Sequence, residues 1–450
     1  MKHFRALSLV ALVALLPVQG CSDILEANDP DIILEANSAT SALALRNGVL
    51  FRLAEATNGV QGADALFIYG GVLADEWRSG DTFVQRNNMD QRLFEPANTF
   101  IAPLYRRVNR IRVEAQAAIR GLRQYVPDSV ALVGEMFALM AYSEVLVGEH
   151  FCNGAPLSSI DAGGAIVFGD PITNDSVFAL AVIHADSALA FAAGRANVIN
   201  LAAVVKGRAL LDRNQFAAAA TAVASVPLNF SETVTHSANS TPNQIYALNN
   251  AARRYTLVDF EGGVGLNYIS ANDPRLPRAT GPDAIFDTAL PLLVTRQGVY
   301  GQFGPVPIAN GLEAKMIIAE ALLRGGNATW LDTINVLRVN TALYPVPIPG
   351  SSNPLYTFTR GPDLTALTDP GTAAAREDIL FRERAFWLFS TGHRLGDLRR
   401  LMRQFGRTEA QVFPTGAYIK GGTYGTALQL PAPFDETNNP KFTQCLDTGA

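Results

Sequence analysis

The feature that most narrows the possible fold is a pair of adjoining helical patterns, residues 201–211 and 215–226, crowded with small side chains. Ala202, Val205, Gly207, Ala209 and Leu210 line the first, and Phe216, Ala219, Ala220 and Val223 line the second. Small residues on facing sides let two helix backbones come close, while leucine and phenylalanine fill the gaps between turns. With so short a link between them, an antiparallel hairpin buries both faces. Other helical patterns surround this pair. Ser38 or Thr40 caps a stretch to about residue 57, where Leu43, Leu50 and Leu53 share an apolar stripe. Long patterns cover 98–125 and 129–148, and Asn174-Asp175-Ser176 caps another to about 193. A third pair, 313–324 and 329–340, is divided by Gly325-Gly326-Asn327. A last stretch runs from 373 through 389 and, past Thr391-Gly392-His393, on to 404. The segment 129–148 is nearly all apolar (Leu132, Val133, Met136, Phe137, Leu139, Met140, Tyr142), which predicts a helix buried on several sides.

Two insertions break this helical text. Residues 59–97 begin with a loop-rich excursion to Arg92 that holds Gly70-Gly71, a charged aromatic cluster (Asp75, Glu76, Trp77, Arg78), Ser79-Gly80-Asp81 and Asn87-Asn88. Residues 227–310 are rich in Asn, Pro, Gly, Tyr and Phe. They are too long for a simple connection and too apolar for a disordered linker, so irregular structure with a few short strands is expected there. The tail from Pro414 reads as extended. The predicted fold class is mainly α, with hairpins of tetratricopeptide type at about 129–226 and 311–405 on one side. The insertions at about 59–97 and 227–310 make a loop-rich irregular side. The hairpins are unevenly spaced, which argues against a regular solenoid and leaves a generic helical bundle as the plainer alternative.

Residues 1–20 read as a secretory leader. Lys2 and Arg5 open it, residues 6–16 form an aliphatic run and Pro17 breaks it. A run of that length spans roughly 16 Å as a helix, about half a bilayer core, which is too short to cross. A buried N-terminal core helix is the alternative. Val18-Gln19-Gly20-Cys21 resembles a bacterial lipobox, in which the cysteine is acylated and becomes the first residue. Acyl chains such as palmitate on Cys21 would hold the mature chain at a membrane surface, each buried methylene contributing about 0.8 kcal/mol. No later segment is expected to span a bilayer. The 36 Lys and Arg against 41 Asp and Glu give a net charge of −5, and loss of Lys2 and Arg5 makes the mature chain more acidic still. Such a chain lacks the positive stripe that phosphate backbones require, so no nucleic-acid partner is expected. In an oxidising compartment the two remaining cysteines, Cys152 and Cys445, are expected to pair and tie down the tail, the alternative being two free thiols.

Four separated segments together resemble the SusD/RagB family of outer-membrane lipoproteins. The first is Cys21 with Ile24-Leu25-Glu26-Ala27-Asn28-Asp29-Pro30. The second is Asn272-Asp273-Pro274-Arg275, and the third runs from Glu313-Ala314 through Ile318-Ala319-Glu320-Ala321. The fourth and most specific is Arg382-Glu383-Arg384-Ala385-Phe386-Trp387 with Gly392-His393-Arg394-Leu395-Gly396-Asp397-Leu398-Arg399-Arg400. Leu430-Pro431-Ala432-Pro433 and Asn439-Pro440 fit the family's tail. The resemblance spans essentially the whole mature chain and departs from the family in the loops. It implies a single SusD-like domain over residues 21–450, with four tetratricopeptide-like hairpins on one side and the ligand site on the irregular side. It also implies a lipid-anchored outer-membrane protein at the cell surface, a placement that Ser22-Asp23 suits. Such proteins are not catalytic. They capture nutrient oligosaccharides, or in some members peptides, and deliver them to a SusC-like TonB-dependent transporter.

Sugar capture draws on exposed aromatic faces against the C–H faces of a ring, with Asn, Asp and Arg ordering the hydroxyls. Trp77, beside Asp75, Arg78 and Asp81 in the excursion, is the expected platform, unless it plugs its loop onto the core. Tyr69, Phe83, Tyr300 and Phe303 are further candidates, whereas Trp330 and Trp387 fall on helices and are expected in the core. The arginine-rich stretch 382–403 could pass for a phosphate-binding cluster. Its mixed charges predict ion pairs instead, Asp378 with Arg382 and Arg394 with Asp397. There is no H-E-x-x-H, no G-x-S-x-G, no phosphate-binding loop and no cysteine–histidine metal spacing, and the five histidines are scattered. No catalytic residue, metal or cofactor is therefore expected. Two glycosidase carboxylates need not be sequence neighbours, so a glycoside hydrolase stands as an alternative. A tetratricopeptide-type interaction scaffold at the envelope is another.

Overall fold

The structure, a computed structural model, describes residues 35–59, 65–161, 163–239, 242–350, 356–447 and 449–450. The leader, Cys21 and the opening segment 24–30 lie outside the described residues.

Helix α1 (Ala39–Thr57) starts where its cap dictates. The Ser38 hydroxyl accepts from the Ser41 amide and the Ser41 side chain answers in a capping box, while Leu45, Val49 and Leu53 turn inward. The excursion that follows departs from expectation, because it holds two helices, α2 (Leu66–Leu73) and, beyond the short strand β1 (Arg78–Ser79), α3 (Val84–Asp90). Every residue of α2 is buried. A helix packed on all sides needs no polar face, so its sequence carries no amphipathic period to announce it.

Helices α4 (Ile101–Tyr125) and α5 (Val130–His150) come next, then the small ribbon β2 (Ser159–Ile160) and β3 (Ile166–Val167). Beyond it lie α6 (Asn174–Ala190), α7 (Ala196–Asp212) and α8 (Phe216–Val223). α6 is capped by Thr173, whose hydroxyl accepts from the Ser176 amide, one residue before the caps expected from sequence. Strands β4 (Ser231–Val234), β5 (Tyr255–Thr256), β6 (Arg278–Ala284), β7 (Leu293–Gln297) and β8 (Val306–Asn310) fill the second insertion. Among the described residues they pair as two-stranded antiparallel ribbons, β1 with β5, β4 with β8 and β6 with β7. Helices α9 (Gly311–Arg324), α10 (Trp330–Arg338), α11 (Ala373–Trp387), α12 (Arg394–Phe405) and the short α13 (Glu409–Val412) complete the chain.

Consecutive helices from α4 to α10 pack on one another, α11 rests on α9, and α12 reaches back to α2 and α5. The architecture is mainly α, with helical hairpins on one side and irregular structure with short strands on the other. The small-residue faces do what their pattern predicts. A Cβ at Gly207 on α7 would stand 2.5 Å from Val223 of α8, and one at Gly148 on α5 would meet the Phe178 ring at 2.5 Å. Contrary to expectation, a later segment does reach membrane-spanning length and hydropathy: α5. It is instead a core helix, buried for most of its length and carrying Glu135, Glu144 and Glu149. Each of these carboxylates has a partner, Arg46, His184 and Arg208 respectively.

The arginine-rich stretch is structural, as expected, but most of its pairs are long-range. Asp378 bonds Arg407, and Arg382 donates to Asn267 Oδ1 at 2.7 Å. Asp397 accepts from Arg384 (2.8 and 2.9 Å) and from Arg400 (2.7 Å), while Arg394 crosses the molecule to Asp75. Glu320 on α9 receives Arg400, Glu313 lies 3.0 Å from His393, and Glu383 binds both Arg275 and Arg338. Three of the four segments behind the family resemblance therefore meet in buried ion pairs. The two local pairs expected from sequence do not form, because Arg382 is turned to Asn267 and Arg394 to Asp75, whereas a different local pair, Asp397 with Arg400, does. At the far end of the chain, Cys152 and Cys445 form a disulfide with Cα atoms 6.0 Å apart.

Candidate ligand-binding face

Most of the expected site residues lie inside the protein. Trp77 has no exposed surface: its indole N–H donates to Ser390 Oγ at 3.2 Å and its ring centroid lies 5.2 Å from that of Phe389. It is the plug of its loop, so the expected stacking platform is corrected. Tyr69 is buried between the rings of Phe100 and Tyr255. Asp75 is consumed by Arg394, whose Nε and Nη2 donate to it at 2.5 and 2.6 Å, and by the Leu266 amide at 3.0 Å. Arg78, half-buried, donates its Nε to buried Glu261 at 2.7 Å. Tyr300 is buried with its hydroxyl on the Phe389 carbonyl at 3.0 Å. Phe303 is exposed on the turn before β8, but shows no ring or cation contact with the others among the described residues.

Asp81 and Phe83 remain, and around them the structure assembles residues that the sequence kept apart. Strand β1 pairs with β5, which brings the turn after Ser79 against Arg253 and Arg254. The Gly80 amide donates to the Arg254 carbonyl and the Asp287 amide to the Gly80 carbonyl, both at 2.7 Å. Gly80 must be glycine, because a Cβ there would stand 2.8 Å from Ile285. The Phe286 amide donates to the Arg253 carbonyl at 2.9 Å, which fixes Phe286 beside the same turn.

Asp81 is the peg of this cluster. It is fully buried, accepts the amides of Thr82 and Phe83 (2.7 and 3.1 Å), and binds Arg86 at 2.6 Å and Arg254 at 2.7 Å. Burial pushes its carboxyl up, but the hydrogen bonds from Arg86 and Arg254 outweigh this and hold it below the ordinary aspartate value. The Arg254 guanidinium lies between two phenyl rings, 5.3 Å from the centroid of Phe83 and 4.1 Å from that of Phe286. Phe83 is 52% exposed and Phe286 37%. Lys420, on the turn of a ribbon over residues 416–424, bonds the Asp81 carbonyl and reaches Asp287 at 3.1 Å. The result is an open aromatic face on loops held by hydrogen bonds and charge.

No family model matches the chain, and no curated protein does. Solved structures do. A SusD superfamily protein from Bacteroides vulgatus superposes with a TM-score of 0.61 over 92% of this chain and all of its own, at 16% identity. Another from Parabacteroides distasonis gives 0.65 over 90% and 98%, at 11% identity. The chain has the SusD fold. A third relative in structure, described as a SusD-like carbohydrate-binding protein from Bacteroides vulgatus, gives 0.60 over 80% and 83%, at 13% identity. Within this SusD-like frame the aromatic face lies entirely on the irregular side, between the excursion that carries Phe83 and the insertion that carries Phe286. Arg253, Arg254, Phe286 and Lys420 had no signature in the sequence, because strand pairing and a long-range turn, not spacing, bring them to Phe83.

Proposed function

We propose that this SusD-like chain is a non-catalytic carbohydrate binder that captures an oligosaccharide on the Phe83–Arg254–Phe286 face. The observation that carries this is the pair of exposed phenyl rings held in place by buried Asp81, a rigid apolar surface flanked by polar groups. Thr82 and Thr288, one residue from Phe83 and two from Phe286 in the chain, are exposed. A neighbour in fold described as carbohydrate-binding supports the ligand class. The glycosidase alternative is disfavoured by where the closely interacting carboxylates lie. Asp75 with Glu76, and Asp90 with Glu261, are each about 1% exposed or less and closed to a sugar chain. In the same reading, Cys21 is acylated, the chain sits at the outer membrane facing outward, and the captured sugar passes to a SusC-like TonB-dependent transporter.

Calorimetry against a panel of oligosaccharides and peptides tests the binding step. Saturable uptake of a glycan without product, weakened several-fold by Phe83→Ala and by Phe286→Ala with circular dichroism unchanged, supports the reading. Glycan turnover, preferential peptide binding or indifference to both substitutions overturns it. The anchor is tested separately. Labelled palmitate should enter the wild-type chain and not Cys21→Ser, and a large β-barrel should copurify from solubilised membranes only when the anchor is intact.

A further inference from the structure

We propose that the chain carries a second ligand site, a cavity between α1, α5, α7 and β4 that takes a small organic cation, a protonated amine on an apolar body, held by the Glu232 carboxylate. The site is additional to the carbohydrate reading and shares no residue with the Phe83–Arg254–Phe286 face.

The cavity has a volume of about 400 Å³, inside the ~300–1,000 Å³ range of small-molecule sites. Strand β4, paired with β8, rests on α1 and closes one side of it. Leu53 and Ala54 of α1, Leu139 of α5, Leu201 of α7 and Val234 of β4 give it an apolar lining, and all five are buried. Phe51 also lines it and is 44% exposed, which marks the side that opens to solvent. A compact carbon skeleton fits such a space and leaves water on entering it.

The charged part of the lining is Arg46, Glu135 and Glu232. Arg46 and Glu135 are closed on each other: Nε and Nη2 of the arginine donate to the two carboxylate oxygens at 2.5 and 2.8 Å, and Nη1 donates to Asn47 at 3.1 Å. Each nitrogen of that guanidinium therefore has its acceptor. Half-buried Glu232 receives no hydrogen bond and no ion pair among the described residues. Burial pushes its carboxyl up, the charge of Glu135 adds to this and that of Arg46 opposes it, and the result is a raised value. With Arg46 and Glu135 cancelling, the cavity holds one uncompensated negative charge. A carboxylate left alone in a partly desolvated place is relieved by a cation that brings its own hydrogen-bond donors. A divalent metal ion takes six or more oxygen ligands, and no cluster of metal-binding side chains occurs among the described residues. One free carboxylate beside leucines and a phenyl ring suits an ammonium on a hydrocarbon body instead.

The experiment compares cyclohexylmethylamine with cyclohexylmethanol, close in shape and different in charge, on the folded mature chain by calorimetry and ligand-observed NMR. The amine should bind saturably and about tenfold tighter than the alcohol, the size of one charge-assisted contact. Methylamine, which has the charge and lacks the body, should bind at least about tenfold weaker than the cyclohexyl amine. Glu232→Gln should erase the preference for the amine without lowering the melting temperature, since the carboxylate makes no bond within the fold, and Glu232→Asp should keep part of it. Equal affinity for amine and alcohol, equal affinity for the two amines, or a Glu232→Gln chain that binds the amine as wild type does overturns the site. The carbohydrate reading uses other residues and is decided by its own panel, so the two can fail separately.

Discussion

Asp397 lies between Arg384 and Arg400 with almost no exposure, so its charge is compensated chiefly by those two groups. Burial alone would push its carboxyl up, but the two guanidiniums outweigh this and hold it well below the ordinary carboxylate range. A carboxyl depressed in this way stabilises the fold above its unfolded value of about 4, and the contribution fades as pH falls towards the folded value. Asp397→Asn should therefore cost about 3–5 kcal/mol at neutral pH, because it leaves two buried guanidiniums undercompensated. The gap between wild type and variant in urea melts should narrow only in strong acid. Trp77 gives the companion case. With its ring enclosed and its N–H on Ser390, Trp77→Ala should lower stability by about 3–5 kcal/mol, read by thermal melting. A surface platform would have predicted lost binding at unchanged stability.

At the scale of elements, the ribbon over residues 416–424 is fastened by its tyrosines. The Tyr418 hydroxyl donates to Asp90 Oδ2 at 2.8 Å, Tyr424 bonds Glu261, and Gln91 reaches the Thr423 carbonyl at 2.8 Å. Asp90 Oδ1 is buried with no partner among the described residues, and burial, reinforced by the charge of Glu261, pushes this carboxyl up to about 8. Since the folded value exceeds the unfolded one, the stability tied to the proton is complete below about pH 4 and drains away as pH rises through 8. Asp90→Asn should flatten that decline between about pH 4 and 8 in a pH series of melting temperatures. It should also slow amide exchange in the ribbon at about pH 8. The same contrast explains what could be read from the chain beforehand. Helices with one apolar stripe or a small-residue face, such as α1 and the α7–α8 hairpin, announce themselves through period and caps. Helix α2, apolar all round, carries no period, and most ion pairs of α11 and α12 join residues far apart in sequence. The aromatic face falls between these cases. Phe83 was visible as a loop aromatic, but its partnership with Arg254 and Phe286 depends on how β1 meets β5.

For the whole molecule, the Cys152–Cys445 bridge joins the end of α5's loop to the C-terminal tail, where the Leu446 amide also bonds the Asn153 carbonyl at 2.7 Å. Reduction should cost about 2–5 kcal/mol and loosen the last residues first, read by hydrogen exchange before and after reductant. Alkylated intact mass should report no free thiol at either position until reductant is added. The helical side and the irregular side are also unequal in their tolerance of change. Substitutions at Phe83 or Phe286 touch neither the α11–α12 ion pairs nor the helix hairpins, so new specificities can arise on the loops without loss of the scaffold. One practical result follows from Trp77. It, Trp330 and Trp387 are the chain's only indoles, and all three are enclosed. Their emission should therefore be blue-shifted and blind to a saccharide landing on the phenylalanine face. Fluorescence would serve as a clean gauge of unfolding and would give a false negative for uptake of ligand.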